Sequence, residues 1–235
     1  DAIAISNEIN KIRGFYKQKL GIAYNNEVVL PQIFTIGPKN QYSGWGFTVS
    51  PTIVLDYNSI QSKIQNGKFN DNGFIKTIAH EMGHKYFGGT LKVSSNLWHF
   101  YSESISQYLS FKYIETQSKS DYLAFLRNAT FNDKFKSLTF VNYYEIEKTD
   151  RNITNASYDY YYLYLFGFEK EFGKEKTFEL LRQMLKNAQD YSKYNSAFFR
   201  FNAMKTGISE KQWGNFNEKY LKSQNCIKEF DINKM

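Results

Sequence analysis

The chain has 235 residues and a mass of 27.7 kDa. That length suits one large domain or two small ones sharing a cleft, and it is too short for a multi-module enzyme. Hydrophobic residues make up 42% and charged residues 23%, which excludes a disordered composition, and no solenoid repeat period is present. The formal charge of +7 permits contact with anionic surfaces, but the lysines are interspersed with acids, as in Glu169-Lys170-Glu171 and Lys174-Glu175-Lys176. No RNA-recognition aromatic motif accompanies them, so a nucleic-acid partner is not expected.

No run reaches the roughly 18 consecutive apolar residues of a membrane span, and a soluble domain with no membrane span is expected. Cys226 is the single cysteine, which rules out an intrachain disulfide and a cysteine-ligated zinc cluster. No targeting segment is visible to fix the compartment; an extracytoplasmic or secreted location is the expectation. Oligomeric state is not legible.

Residues 3–20 carry Ile5, Ile9, Ile12, Phe15/Tyr16 and Leu20 at three-and-four spacing, an amphipathic helix that Gly21 is placed to end. Short β-favouring runs follow at Val28–Leu30, Ile33–Ile36, Trp45–Val49 and Ile53–Tyr57, punctuated by Pro31, Gly37-Pro38 and Pro51, and predict a small sheet. After the turn and cap cluster Asn70-Asp71-Asn72-Gly73 the pattern becomes helical. Helices are expected at Phe74–Phe87, Leu97–Thr116, Asp121–Asn128, Ser157–Phe172, Lys176–Asn187, Ser196–Lys205 and Lys211–Leu221, with Gly88-Gly89, Gly173 and Gly207 as stops. The polar stretch 131–154 reads as a loop. Strands first and helices afterwards predict an α+β fold, with no linker to mark a second domain. The expectation is one domain over residues 1–235, with the first helix, the sheet and the helix after it in 1–90 and a helical part in 91–235.

The chemistry lies in His80-Glu81-Met82-Gly83-His84. Histidines four apart on a helix lie about 40° from one another around its axis, so both imidazoles reach one metal ion. Glu81, about 100° from His80, stands beside that ion where a general base is needed. A chance match to this pattern in a chain with three histidines has odds of roughly two in a thousand. A hydrolytic zinc site requires a third protein ligand and an open position for water. The candidate ligand is Glu103, with 18 residues between it and His84, an interval that allows one helix to end and a second to return. Gln107, one turn later, is either a ligand-orienting residue or an exposed or core-edge one, and His99 reads as packing or surface.

Residues 80–89, HEMGHKYFGG, resemble the HELAHQWFGN zinc helix of the gluzincin metallopeptidases of the aminopeptidase N type, which have a thermolysin-like catalytic domain. Leu97-Trp98-His99-Phe100-Tyr101-Ser102-Glu103-Ser104-Ile105-Ser106 is similar to their LWLNEGFA motif. Residues 158–173 resemble their YEKGxxLLxxLExxxG helix, and the C-terminal stretch from Asn195 to Leu221 resembles the end of the same domain. The resemblance implies Zn2+ held by His80, His84 and Glu103, Glu81 as general base, and a peptide or protein substrate. It also implies that Tyr158 hydrogen-bonds the oxyanion; Tyr160 and Tyr161 are the alternatives.

Trp45-Gly46-Phe47 matches the family's Trp-Gly step, but Asn40-Gln41-Tyr42-Ser43-Gly44 replaces its GAMEN. Ser43 stands where the glutamate that binds a substrate's α-amine belongs, so strict aminopeptidase action is not expected unless Glu27 or another acid reaches in. Ser43, Gly44, Trp45 and Gly46 are the candidate substrate-binding residues, because their backbone suits edge pairing with an extended peptide. Two other readings remain open at this point: a non-peptidase zinc hydrolase, and a non-catalytic binding domain stabilised by zinc.

Overall fold

The computed structural model describes residues 2–23, 30–34, 46–49, 52–56, 63–88, 96–130, 142–148, 160–188 and 194–230. Helix α1 (Ala2–Leu20) buries Ile5, Ile9, Ile12, Tyr16 and Leu20 on one stripe, and Gly21 ends it at φ +69°, a backbone angle that favours glycine.

Three strands follow: β1 (Leu30–Phe34), β2 (Gly46–Val49) and β3 (Thr52–Asp56), in the order β1-β3-β2. β1 runs parallel to β3 and β2 antiparallel to it. The expectation that Pro31 separates two strands is corrected, because Pro31 lies inside β1 opposite Ile53. β1 is an outer strand of this sheet, where one row of N–H groups faces away from the ladder and proline is tolerated. A small hairpin of β4 (Ile64–Gln65) and β5 (Lys68–Phe69) was not expected. Its turn residues Asn66 and Gly67 have φ of 51° and 71°, the left-handed pair that a tight hairpin demands.

Helix α2 (Asn72–Gly83) opens where the cap cluster predicted, with the Asp71 carboxylate accepting from the N–H groups of Gly73 (2.7 Å) and Phe74 (3.3 Å). It does not continue to Phe87 as expected: regular helix stops at Gly83 and turns carry the chain to Gly88. The single helix expected from Leu97 is also divided, into a wide π-turn at Phe100–Ser104 and α3 (Ile105–Gln117). Then come α4 (Lys119–Thr130), α5 (Tyr143–Lys148), α6 (Leu163–Phe172), α7 (Lys174–Lys186), α8 (Ser196–Lys205) and α9 (Glu210–Phe216). α5 lies in the stretch read as loop; its burial of Tyr143 and Ile146, rather than any long periodic pattern, holds it. Strands preceding a helical part make the fold α+β. Among the described residues no helix is long and apolar enough to cross a membrane.

α2 packs most extensively on α3, and it also touches β2 and α1. Tyr16 of α1 donates to the carbonyl of Ala79 (2.6 Å), the residue before His80, and Tyr113 of α3 donates to the buried carboxylate of Glu8 (2.6 Å). The first helix therefore braces both elements that carry the metal-ligand candidates.

Behind α3, the buried ammonium of Lys112 contacts Glu115 (2.6 Å) and Glu169 (2.9 Å). The rings of Tyr122 (5.4 Å) and Phe166 (5.7 Å) flank it, and Glu169 also accepts from Tyr108 (2.6 Å). Burial alone would raise the Glu115 carboxyl, but the ammonium groups of Lys112 and Lys174 more than reverse this and hold it below its ordinary 4.5. A depressed carboxyl pKa contributes stability that is present above the unfolded value and lost as pH falls through the folded one. Lys112→Met is expected to cost about 3 kcal/mol at pH 7, the low end for a broken buried pair because its carboxylate partners retain some solvent. The same variant is expected to flatten the loss of stability below about pH 4.5. Denaturant unfolding at several pH values measures both; an unchanged acid limb would show that Lys112 does not set the Glu115 equilibrium.

Candidate metal centre

His80 and His84 project from the end of α2, one turn apart, and Glu103 approaches from the π-turn that precedes α3. A π-turn inserts one extra residue per turn and is frequent at functional sites. Nε2 of His80 lies 3.1 Å from Oε2 of Glu103 and 3.1 Å from Nε2 of His84, and His84 Nε2 lies 3.4 Å from the same carboxylate oxygen. The three donor atoms thus form a near-equilateral triangle.

That triangle fits zinc. With bonds of about 2.05 Å, a tetrahedral ion holds its ligand atoms about 3.3 Å apart, and two imidazoles with one carboxylate are a donor set found in zinc hydrolases. Glu81 is buried beside them, and His80, His84 and Glu81 can each offer one atom within 4.8 Å of the others. Glu103 reaches the two rings at 3.1 and 3.4 Å, which suits a ligand, and Glu81 stands in the same group of possible donors.

The electrostatics agree with a cation-binding pocket. Burial opposes ionisation of Glu103, yet hydrogen bonds from His80 and His84 hold its carboxyl well below the usual range. Burial likewise disfavours charge on His84, but the carboxylates of Glu103 and Glu81 outweigh it and raise the imidazole above its ordinary 6.5. Lys85, also buried, is pushed down to about 8 by desolvation, with Glu81 opposing.

No family model matches the chain, and no curated protein matches it.

The structure brings donor atoms of His80, His84 and Glu103 within 3.4 Å of one another, with Glu81 grouped beside the two histidines. Gln107, for which ligand-orienting and exposed or core-edge readings were open, is buried and accepts from Lys76 Nζ (3.4 Å) on α2. His99 packs edge-on against Trp98, with ring centres 4.4 Å apart. Tyr158, Ser43, Gly44 and Trp45 lie outside the described residues. Gly46 begins β2, an outer strand of the described sheet that packs against α2. Tyr160 and Tyr161 are buried in a turn preceding α6.

How close α2 and α3 come at this point is not legible in the sequence. A Cβ on Gly83 would fall 2.9 Å from the Cα of Ser106, a backbone atom that no rotamer change can move aside. Gly83→Ala is therefore expected to force the helices apart and to cost about 1–3 kcal/mol, read as a lower melting temperature of the metal-free protein. An unchanged melt would mean that the interface is slack.

Proposed function

We propose that this protein is a zinc-dependent peptidase with a thermolysin-like catalytic domain of the gluzincin kind. The observation that carries the reading is the triangle of donor atoms from His80, His84 and Glu103, spaced as tetrahedral zinc requires, with a second buried carboxylate alongside. A purely structural site has no need of that second carboxylate.

In this reading His80 and His84 each present Nε2 to the ion, and Glu103 presents Oε2. Zinc, when bound, would act as a Lewis acid that lowers the pKa of a water toward about 7 and polarises the scissile carbonyl. Glu81 takes the proton of the attacking water on its carboxylate and delivers it to the leaving amine. Tyr158, assigned by the resemblance, donates its phenolic proton to the developing oxyanion. An extended substrate lies along β2, whose outer edge offers main-chain hydrogen bonds that need no particular side chain.

Ser43 gives the substrate's ammonium no charged partner, a loss of roughly 1.5–3 kcal/mol relative to a carboxylate. Peptides with blocked N-termini are accordingly expected to be cut. Elemental analysis paired with mass-spectrometric mapping of cleavage in a mixed library of free and blocked peptides tests the reading. One zinc per chain with products from both pools is the expected result. Zinc bound without any cleavage would favour a non-peptidase hydrolase, and absence of metal affinity would end the proposal.

A further inference from the structure

The ring of His84 is gripped on the side opposite the metal-binding nitrogen by two hydroxyls. Its Nδ1 lies 3.1 Å from Ser102 Oγ and 3.2 Å from Ser106 Oγ. Ser102 Oγ in turn lies 3.2 Å from the carbonyl oxygen of Phe87 and donates to it. A carbonyl can only accept, so the serine proton is committed there and the lone pairs of Ser102 face the imidazole. The hydroxyls therefore hold a proton on Nδ1, and Nε2 is the nitrogen left to exchange its own proton for a metal ion.

Both serines are buried, and they flank Glu103 in the sequence. Two glycines make room for them. A Cβ on Gly83 would lie 2.9 Å from Ser106 Oγ, and one on Gly88 would lie 2.9 Å from Ser102 Oγ. Gly88 also has φ +127°, which other residues rarely adopt. Small residues at 83, 88, 102 and 106 thus interleave around one imidazole.

We propose that Ser102 and Ser106 are a redundant pair of positioning residues that fix the tautomer and aim of His84 and so set the zinc affinity of the site. This inference rests on the zinc reading above and deepens it. Neutral hydroxyls orient the ring without adding negative charge to a centre that already holds Glu81 and Glu103. Outer partners of a metal-ligating histidine are typically worth 10–100-fold in metal affinity. Because either hydroxyl can accept the same proton, loss of one leaves the other in place, and loss of both leaves the ring only the carbonyl of Phe87.

The test is zinc affinity, measured by competition with a chromophoric chelator, for the wild type, Ser102→Ala, Ser106→Ala, the double variant and Ser110→Ala. Ser110 is a control on the same helix, buried and donating to the carbonyl of Gln107 at 2.7 Å. Each single change is expected to weaken binding by less than about fivefold, the double change by about 10–100-fold, and Ser110→Ala not at all. A wild type that fails to bind zinc overturns the zinc reading itself. A wild type that binds, with a double variant within twofold of it or a control equally weakened, overturns this inference alone. Long-range proton–nitrogen correlation spectra of the zinc-loaded wild type supply a second measurement that needs no variant to fold. A protonated Nδ1 on His84 is expected, and coordination through Nδ1 would overturn the inference.

Discussion

Glu81→Gln is expected to leave zinc bound and to reduce peptide turnover by about 10²–10⁴-fold, the range for a positioned general base. The side chain is buried one residue after His80 on α2, and glutamine fills the same volume, so neither the packing of α2 on α3 nor the donor triangle is disturbed. What is lost is a lone pair able to take a proton and a group able to return it. The decisive comparison is zinc stoichiometry against kcat for the same preparation. Loss of zinc from the variant would place Glu81 among the ligands instead, and retention of full turnover would remove the proposed proton acceptor from the mechanism.

Glu103→Gln is expected to lower zinc affinity by at least about 100-fold, more than removal of an outer partner. Glutamine keeps the shape of the side chain but replaces an anionic ligand with a neutral amide. The metal-free protein should respond as well. The carboxyl of Glu103 is held well below its ordinary value because hydrogen bonds from His80 and His84 outweigh its burial. That interaction contributes stability above the ordinary carboxylate pKa and loses it as pH falls through the depressed value. The variant should therefore be less stable than the wild type near neutral pH when both are stripped of metal, with the difference narrowing in acid. Chelator competition and urea unfolding of the stripped proteins measure the two effects separately. An affinity within threefold of wild type would show that residue 103 is not a ligand.

The substitutions at Lys112 and Gly83 probe elements that support the centre from outside. Lys112 anchors α3 from behind through Glu169 of α6, and Gly83 sets the distance between α2 and the segment that follows Glu103. Each acts on where a ligand sits rather than on the chemistry that ligand performs.

Features governed by neighbouring residues were legible in the sequence. The stripe on α1, the Asp71 cap, the ends of α1 and α6 at Gly21 and Gly173, and the placement of His80 and His84 on one helical face all follow from the 3.6-residue turn and local backbone preferences. The limits of this reading show at Pro31, where the local preference to break a strand yields to a position at the edge of the sheet. They show also at α5, which is too short for a periodic signal and is held by the burial of Tyr143 and Ile146.

The sequence by itself determined the donor types: two imidazoles at a fixed helical interval, a carboxylate beside them, and a further carboxylate at a suitable distance along the chain. Only the tertiary structure decided that Glu103 reaches both rings at 3.1 and 3.4 Å, and that Ser102 and Ser106 close on the far side of His84. The reason is that spacing along a helix is fixed by covalent geometry and hydrogen bonding within a few residues. The approach of two helices depends instead on which side chains are small enough at the crossing, and Gly83 and Ser106 acquire that meaning only when they face one another.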